Sequence, residues 1–240
     1  MGKDRFLGIP DIPPPLQRAI LFSLGCALLG AMEVAIGQAP RELKLSQLPN
    51  PPLELKQLVT DADVSFKVGP RAVSTDRRIV GETHYEISYQ YKSHAKWNLM
   101  TDQQGARVVL INVRFSQVQW KPKHVIWMRN EPATESFWSD SVLLHEFDHV
   151  RISNDPRVAK RFPERLNKRM VIRHPLQPGE VAGRKLTDAL VEREVRSVFE
   201  ELTDLIAIRY RELDRETLHG QQPLPEDSKL RDVLRTQSKD

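Results

Sequence analysis

The chain has 240 residues, of which 40% are hydrophobic and 28% are charged; this balance excludes a largely disordered protein. Its net charge is +4, and its basic clusters are as short as Lys160-Arg161 and Lys168-Arg169, so we expect no nucleic-acid partner. The single cysteine, Cys26, excludes an intrachain disulfide.

The N-terminal region contains an uncharged apolar run of 14 residues, 19–32, which follows Lys3, Arg5 and Arg18. A helix needs about 20 residues to cross a bilayer, so this length and the positive flank favour the apolar region of an export signal. Retention as a membrane anchor over residues 19–36, acylation at Cys26 and an ordinary buried helix are the alternatives. We therefore expect residues 1–39 to be a signal peptide or membrane anchor, and the protein to be exported to the periplasm or the extracellular space.

Proline spacing predicts the limits of the folded domain. Residues 40–58 contain three prolines among polar residues after Pro40, which is typical of a linker. Residues 223–240 are polar and charged, which indicates a loose tail. The domain itself is predicted to span residues 59–222.

The first half of this domain has the period of β-strands. HYEISYQY alternates, with Tyr85, Ile87 and Tyr89 on one face, and RVVLINVRF places Val109 and Ile111 two residues apart. Strands so close in sequence predict a mostly antiparallel sheet.

The second half has the period of helices. Ser139, Asp140 and Ser141 are all good N-caps, and a helix is predicted to follow them and to end at about Asn154. A second helix is predicted over residues 156–170, a loop over 173–183 and a long helix over 185–215. A sheet followed by helices that pack on it defines an α+β fold.

The predicted first helix carries the sequence LLHEFDHV. His145 and His149 are four residues apart, so their rings project from one face of the helix and can bind one Zn²⁺. Glu146 lies about 100° around the helix, where its carboxylate can reach a water molecule rather than the ion. This HExxH arrangement is typical of zinc metalloproteases, in which the glutamate is the general base.

A zinc site of this kind needs a third protein ligand. We prefer His219, which follows the long helix and precedes a glycine that allows a turn. Glu194 and Glu201 on the long helix are the alternatives, and a site completed by either would be of the glutamate type. His174 and Tyr210 are further candidates, as groups that stabilise an oxyanion.

The stretches LLHEFDHVRIS and LDRETLHG together resemble the predicted secreted zinc-dependent proteases of bacteria, a domain of unknown function in the zincin-like clan. The resemblance covers about residues 60–222, and its second motif comprises Asp214, Thr217, His219 and Gly220. It implies a zincin-like fold with an HExxH helix and a long C-terminal helix, a zinc site, export, and a functional role for His219.

These observations predict an exported or membrane-tethered zinc metallopeptidase that acts on a protein or peptide. Glu146 would be catalytic, and His145, His149 and His219 would bind Zn²⁺. The alternative is an inactive, zinc-stabilised binding or scaffold protein of the cell envelope.

Overall fold

One long hairpin forms the centre of the sheet. In a computed structural model of the chain, which describes residues 20–22, 39–70 and 79–235, β4 (Gly81–Thr101) and β5 (Arg107–Met128) pair antiparallel along their length. Their inward residues are apolar and alternate as predicted, for example Ile87 on β4 and Ile111 on β5, both of which are buried.

A bulge divides this hairpin into two halves. The register shifts between Gln90 and Lys92, opposite Gln117, whose φ is +50°. In the half that includes Met128, β5 pairs in parallel with β3 (Val64–Val68). In the half next to the hairpin turn, β5 pairs antiparallel with β6 (Val171–Pro175).

Two short strands complete the sheet. β2 (Arg41–Leu43) pairs antiparallel with β3, and β1 (Ile20–Phe22) pairs antiparallel with β4. The chain therefore has a mixed sheet in which antiparallel pairs predominate, and the prediction of mixed α and β structure is confirmed.

The three principal helices follow the sheet in sequence, as predicted. They are α2 (Ser141–Ser153), α3 (Pro156–Lys168) and α4 (Arg184–Thr217). α3 and α4 pack on the hairpin around a buried apolar cluster that includes Val109, Ile111, Phe162, Val195, Leu202 and Ile206. α2 packs through Phe147 and Val150 against a second cluster that includes Phe66, Ile126 and Phe137.

The predicted linker, residues 40–58, belongs to the fold instead. It contributes β2 and most of α1 (Leu53–Asp61), and it buries Leu43, Leu55 and Leu58 in the second cluster. The prolines do not interrupt α1, because Pro52 lies at its N-cap, where a missing N–H costs nothing.

The C-terminal boundary also lies further along the chain than predicted. Leu230 and Val233 are buried, and α5 (Arg231–Arg235) packs against α2, so residues 230–235 are not a loose tail. In the predicted loop over 173–183, the first three residues extend β6 along β5.

The predicted signal or anchor lies almost entirely outside the described residues. Of residues 1–38 the structure describes only β1, which pairs with residues 87–89 of β4. Within the described part of the chain, no helix combines the length and the apolar character that a membrane span requires.

Candidate metal site and catalytic carboxylate

α2 presents both histidines of the HExxH motif toward α4. Asp140 caps the helix, because its Oδ1 accepts from the backbone N–H groups of Val142 and Leu143, each at 3.0 Å. The His145 and His149 rings lie one turn apart with their centroids 4.8 Å from each other, and the residues are 7% and 5% exposed. The predicted juxtaposition of the two imidazoles is thus present in the structure.

Asp214, on the last turn of α4, meets this pair. Its Oδ1 lies 3.1 Å from His145 Nε2 and 2.9 Å from His149 Nε2. The three ligand atoms lie within 4.8 Å of one another. A tetrahedral zinc site with bonds of about 2.0–2.1 Å places its ligand atoms about 3.3 Å apart, so these groups fit such an ion.

The charges at this site suit a cation. Burial alone would raise the pKa of Asp214, but the hydrogen bonds from His145 and His149 outweigh it and hold that pKa well below its ordinary value. A carboxylate only accepts, so both Nε2 atoms carry protons in the metal-free chain. A divalent ion bound by the two Nε2 atoms would take the place of these protons, and each neutral ring would then carry its proton on Nδ1.

His219, the preferred third ligand from sequence, lies next to this group and is not one of its three members. Its Nδ1 is 3.6 Å from Asp214 Oδ1, and its side chain is 78% exposed. The geometry thus favours Asp214 over His219 as the third ligand. The reason is that α4 continues to Thr217, which leaves Asp214 on a helical turn that faces α2.

The turn after α4 has a special backbone that closes over His145. Leu218, His219 and Gly220 all have positive φ, with values of +49°, +57° and +79°. A Cβ on Gly220 would lie 2.8 Å from His145 Cγ, so only glycine fits between this turn and the ring.

Glu194 and Glu201, the alternative ligands, lie elsewhere on α4. Glu194 is 3.2 Å from Arg169, and Glu201 pairs with Arg165 and Arg169. At about 1.5 Å per residue, Glu201 is about 20 Å along the helix from Asp214. Neither glutamate approaches the histidine pair.

Glu146 is buried between α2 and the start of β4, with 3% of its surface exposed. Its Oε2 accepts a hydrogen bond of 2.7 Å from the hydroxyl of Thr83. Burial raises the pKa of Glu146, although the nearby His149 and the Thr83 hydroxyl lower it in part. A carboxylate with a raised pKa, next to two histidines, is suited to accept a proton near neutral pH.

Tyr210, on α4, packs against the His149 ring. Its ring centroid is 4.4 Å from that of His149, and its hydroxyl is 2.8 Å from Ser153 Oγ. Ser153 Oγ is in turn 2.6 Å from Nε2 of His124, whose Nδ1 is 2.6 Å from the carbonyl of Ala62.

The direction of these hydrogen bonds follows from the Ala62 carbonyl, which can only accept. His124 Nδ1 therefore carries the proton, because burial lowers the pKa of His124 to about 4 and leaves it neutral. Ser153 then donates to His124 Nε2, and Tyr210 donates to Ser153. The Tyr210 hydroxyl is thus hydrogen-bonded to Ser153, while the Tyr210 ring packs against His149.

His174, the other oxyanion candidate, pairs with Glu180 at 2.8 Å on the far half of the hairpin. The residues near the site that the sequence did not single out are Asp214 as a candidate ligand, together with Thr83, Ser153 and His124. A signal for Asp214 exists in the sequence: Ile206, Tyr210 and Asp214 follow one another at intervals of four, which places Asp214 on the buried face of α4.

Comparison with known proteins does not identify a family. Searches against family models, curated proteins and solved structures give no significant match. The function is therefore inferred from the geometry of this site.

Proposed function

We propose that this protein is a zinc-dependent metallopeptidase of the zincin type that hydrolyses peptide bonds. The observation that carries the proposal is the convergence of His145, His149 and Asp214 beside the buried carboxylate of Glu146. Two imidazoles and one carboxylate are a donor set typical of catalytic zinc, and three protein ligands leave a coordination position open.

His145, His149 and Asp214 would hold the ion, and Glu146 would handle the proton. Bound zinc supplies Lewis acidity, which polarises a carbonyl and lowers the pKa of water toward about 7. Glu146 accepts the proton of the water molecule that attacks the peptide carbonyl, and then passes it to the leaving amine. Its burial keeps the carboxylate away from bulk solvent.

A protein or peptide is the proposed substrate. The support is the chemistry of the site, because a zinc ion held by His145, His149 and Asp214 would polarise a peptide carbonyl next to the carboxylate of Glu146.

The decisive experiment compares the wild type with Glu146→Gln. Both proteins should contain close to one zinc per chain, because the ligands are unchanged, whereas only the wild type should hydrolyse a denatured protein or a peptide library. The chelator-treated wild type should lose activity and regain it with zinc. Asp148→Asn, which changes a carboxylate in the same helix that pairs with Arg151, is the matched control and should remain active.

Two outcomes would contradict this proposal. Hydrolysis by Glu146→Gln within about twofold of wild type would exclude Glu146 as the base, since such a base contributes about 10²–10⁴-fold. Bound zinc without hydrolysis in either protein would instead favour a zinc-stabilised binding or scaffold protein.

We also propose that the protein is exported or tethered to a membrane by residues 19–36, which requires that Ile20–Phe22 leave the sheet in the exported form. The support is the uncharged run over 19–32 behind a positive flank. A reporter enzyme that is active only after export, fused after residue 58, should be active, and removal of residues 1–38 should abolish this. Activity of a cytoplasm-specific reporter alone would contradict export.

A further inference from the structure

The start of β4 is shaped to receive the Glu146 side chain. Gly81 and Thr83 are two residues apart on the strand, so they lie on the same face, and both contact Glu146. β5 holds this segment in register, with Gly81 opposite Met128 and Thr83 opposite Ile126. The contacts to Glu146 therefore come from a strand inside the sheet rather than from a loop.

Thr83 binds one oxygen of the carboxylate. Its Oγ1 lies 2.7 Å from Glu146 Oε2 and 3.0 Å from the Glu146 backbone carbonyl oxygen. A hydroxyl has a single proton, and the shorter distance to a charged acceptor indicates that this proton points to Oε2.

Gly81 provides the space for the other oxygen. A Cβ at this position would lie 2.8 Å from Glu146 Oε1 and 2.5 Å from Val142 Cγ1. Any larger residue would displace either α2 or the carboxylate, so the absence of a side chain at residue 81 sets how closely β4 approaches α2.

We propose that Thr83, together with the space at Gly81, positions Glu146 for proton transfer. Thr83 holds Oε2, which fixes the plane of the carboxylate and leaves Oε1 to take the proton of the attacking water. Thr83 is a positioning residue: it acts through Glu146 and makes no contact with the reacting atoms. This inference rests on the proposed function of Glu146 as the base.

The test uses Thr83→Val, which keeps the shape of the side chain and removes its hydroxyl, with Thr83→Ser as the matched control. In full-length protein loaded with zinc, Thr83→Val should lower kcat by about 10–100-fold, because a misplaced base loses much of its effect. KM and zinc content should change by less than about twofold. Thr83→Ser should restore kcat to within about threefold of wild type.

Gly81→Ala is a second, independent variant, since it perturbs Oε1 without removing the Thr83 hydroxyl. It should also lower kcat, and its zinc content shows whether the added methyl group displaces the carboxylate or α2. Wild-type kcat in Thr83→Val would overturn the proposal, as would equal losses in the Val and Ser variants, because the effect would then come from packing rather than from the hydroxyl.

Failure of the proposed function has a different signature. If the wild type hydrolyses nothing, thermal unfolding of Thr83→Val, Glu146→Gln and the double variant still tests the contact. Non-additive shifts in Tm would support the contact although the enzymatic function had failed, and additive shifts would overturn the contact itself.

Discussion

The exchange of Asp214 for Asn tests which group completes the metal site. Asn keeps the size of the side chain and removes the charge that accepts hydrogen bonds from His145 and His149. His219→Ala is the matched control, because the exposed His219 ring lies 3.6 Å from Asp214 and outside the group of three. The two variants therefore separate the ligand favoured by the structure from the one preferred on sequence.

The change in the free energy of unfolding that each variant causes differs between the metal-free and the zinc-bound chain. Without metal, hydrogen bonds to a charged group are stronger than neutral ones by about 1 kcal/mol each. For the two bonds to Asp214, the loss in the free energy of unfolding of Asp214→Asn is therefore about 2 kcal/mol. Because the Asp214 side chain is 30% exposed, solvent screening reduces this loss to about 1 kcal/mol. His219→Ala should change the free energy of unfolding by less than about 0.5 kcal/mol, as is usual for an exposed residue.

Zinc enlarges the difference between the variants. Free zinc at a concentration 1,000 times the Kd stabilises the folded chain by about 4.1 kcal/mol, and a 100-fold rise in Kd reduces this to about 1.4 kcal/mol. Loss of one of three ligands should raise Kd by at least this factor in Asp214→Asn, whereas His219→Ala should keep nearly the full zinc stabilisation.

Urea unfolding in chelator and in buffered zinc measures both quantities, and calorimetric zinc titration checks the Kd. Asp214 is excluded as the third ligand if Asp214→Asn retains the zinc-dependent gain in stability while His219→Ala loses it. His219 would then be the third ligand, as the sequence alone suggested.

Three further predictions concern the surroundings of this site. Gly220→Ala should raise the Kd for zinc by about 10-fold or more, since its Cβ would lie 2.8 Å from His145 Cγ in a backbone with φ of +79°; an unchanged Kd in zinc titration would contradict the contact. Burial lowers the pKa of His124 to about 4 from 6.5, which corresponds to about 3 kcal/mol of stability that is present above pH 6.5 and is lost as the pH falls toward 4. In His124→Gln, urea midpoints should depend less on pH over this interval, and an equal dependence would exclude His124 as its source. Glu201→Gln should retain zinc because Glu201 pairs with Arg165 and Arg169; metal loss in this variant would favour a glutamate-type site.

The elements that sequence predicted well are those with a strong local period. Alternation around Tyr89 and Ile111 predicted parts of the two long strands, and the apolar pattern behind the N-cap residues 139–141 predicted α2. The predicted domain boundaries were wrong where only a few apolar residues pack against elements that are distant in sequence. Leu43 and Leu55 among prolines, and Leu230 and Val233 in a charged stretch, are buried only because the sheet and α2 are there to cover them.

In the candidate site too, the sequence predicts the placement of residues on one helix and not that of residues on separate elements. His145, Glu146 and His149 lie on one helix, so their relative placement follows from residues per turn alone. Thr83 and Asp214 come from β4 and from the last turn of α4, and no period in the sequence fixes how these elements cross α2. The intervals of four from Ile206 to Asp214 place the carboxylate on the buried face of α4, but only the packing of α4 on α2 brings it to the histidines.

The two candidates for the third ligand, His219 and Asp214, differ in how the fold supports them. Imidazole suits zinc better than most groups, which favoured His219 on chemical grounds. Yet His219 lies beyond the helix, on a left-handed turn, with its ring mostly in solvent. Asp214 belongs to a helix whose neighbouring turn packs Tyr210 against His149, and its carboxylate is held by both histidines. A ligand on a rigid element loses little conformational freedom on binding an ion, whereas an exposed ring on a turn must be ordered first. For this reason we propose the Asp214 carboxylate for the third position, while the turn at Leu218–Gly220 closes over His145.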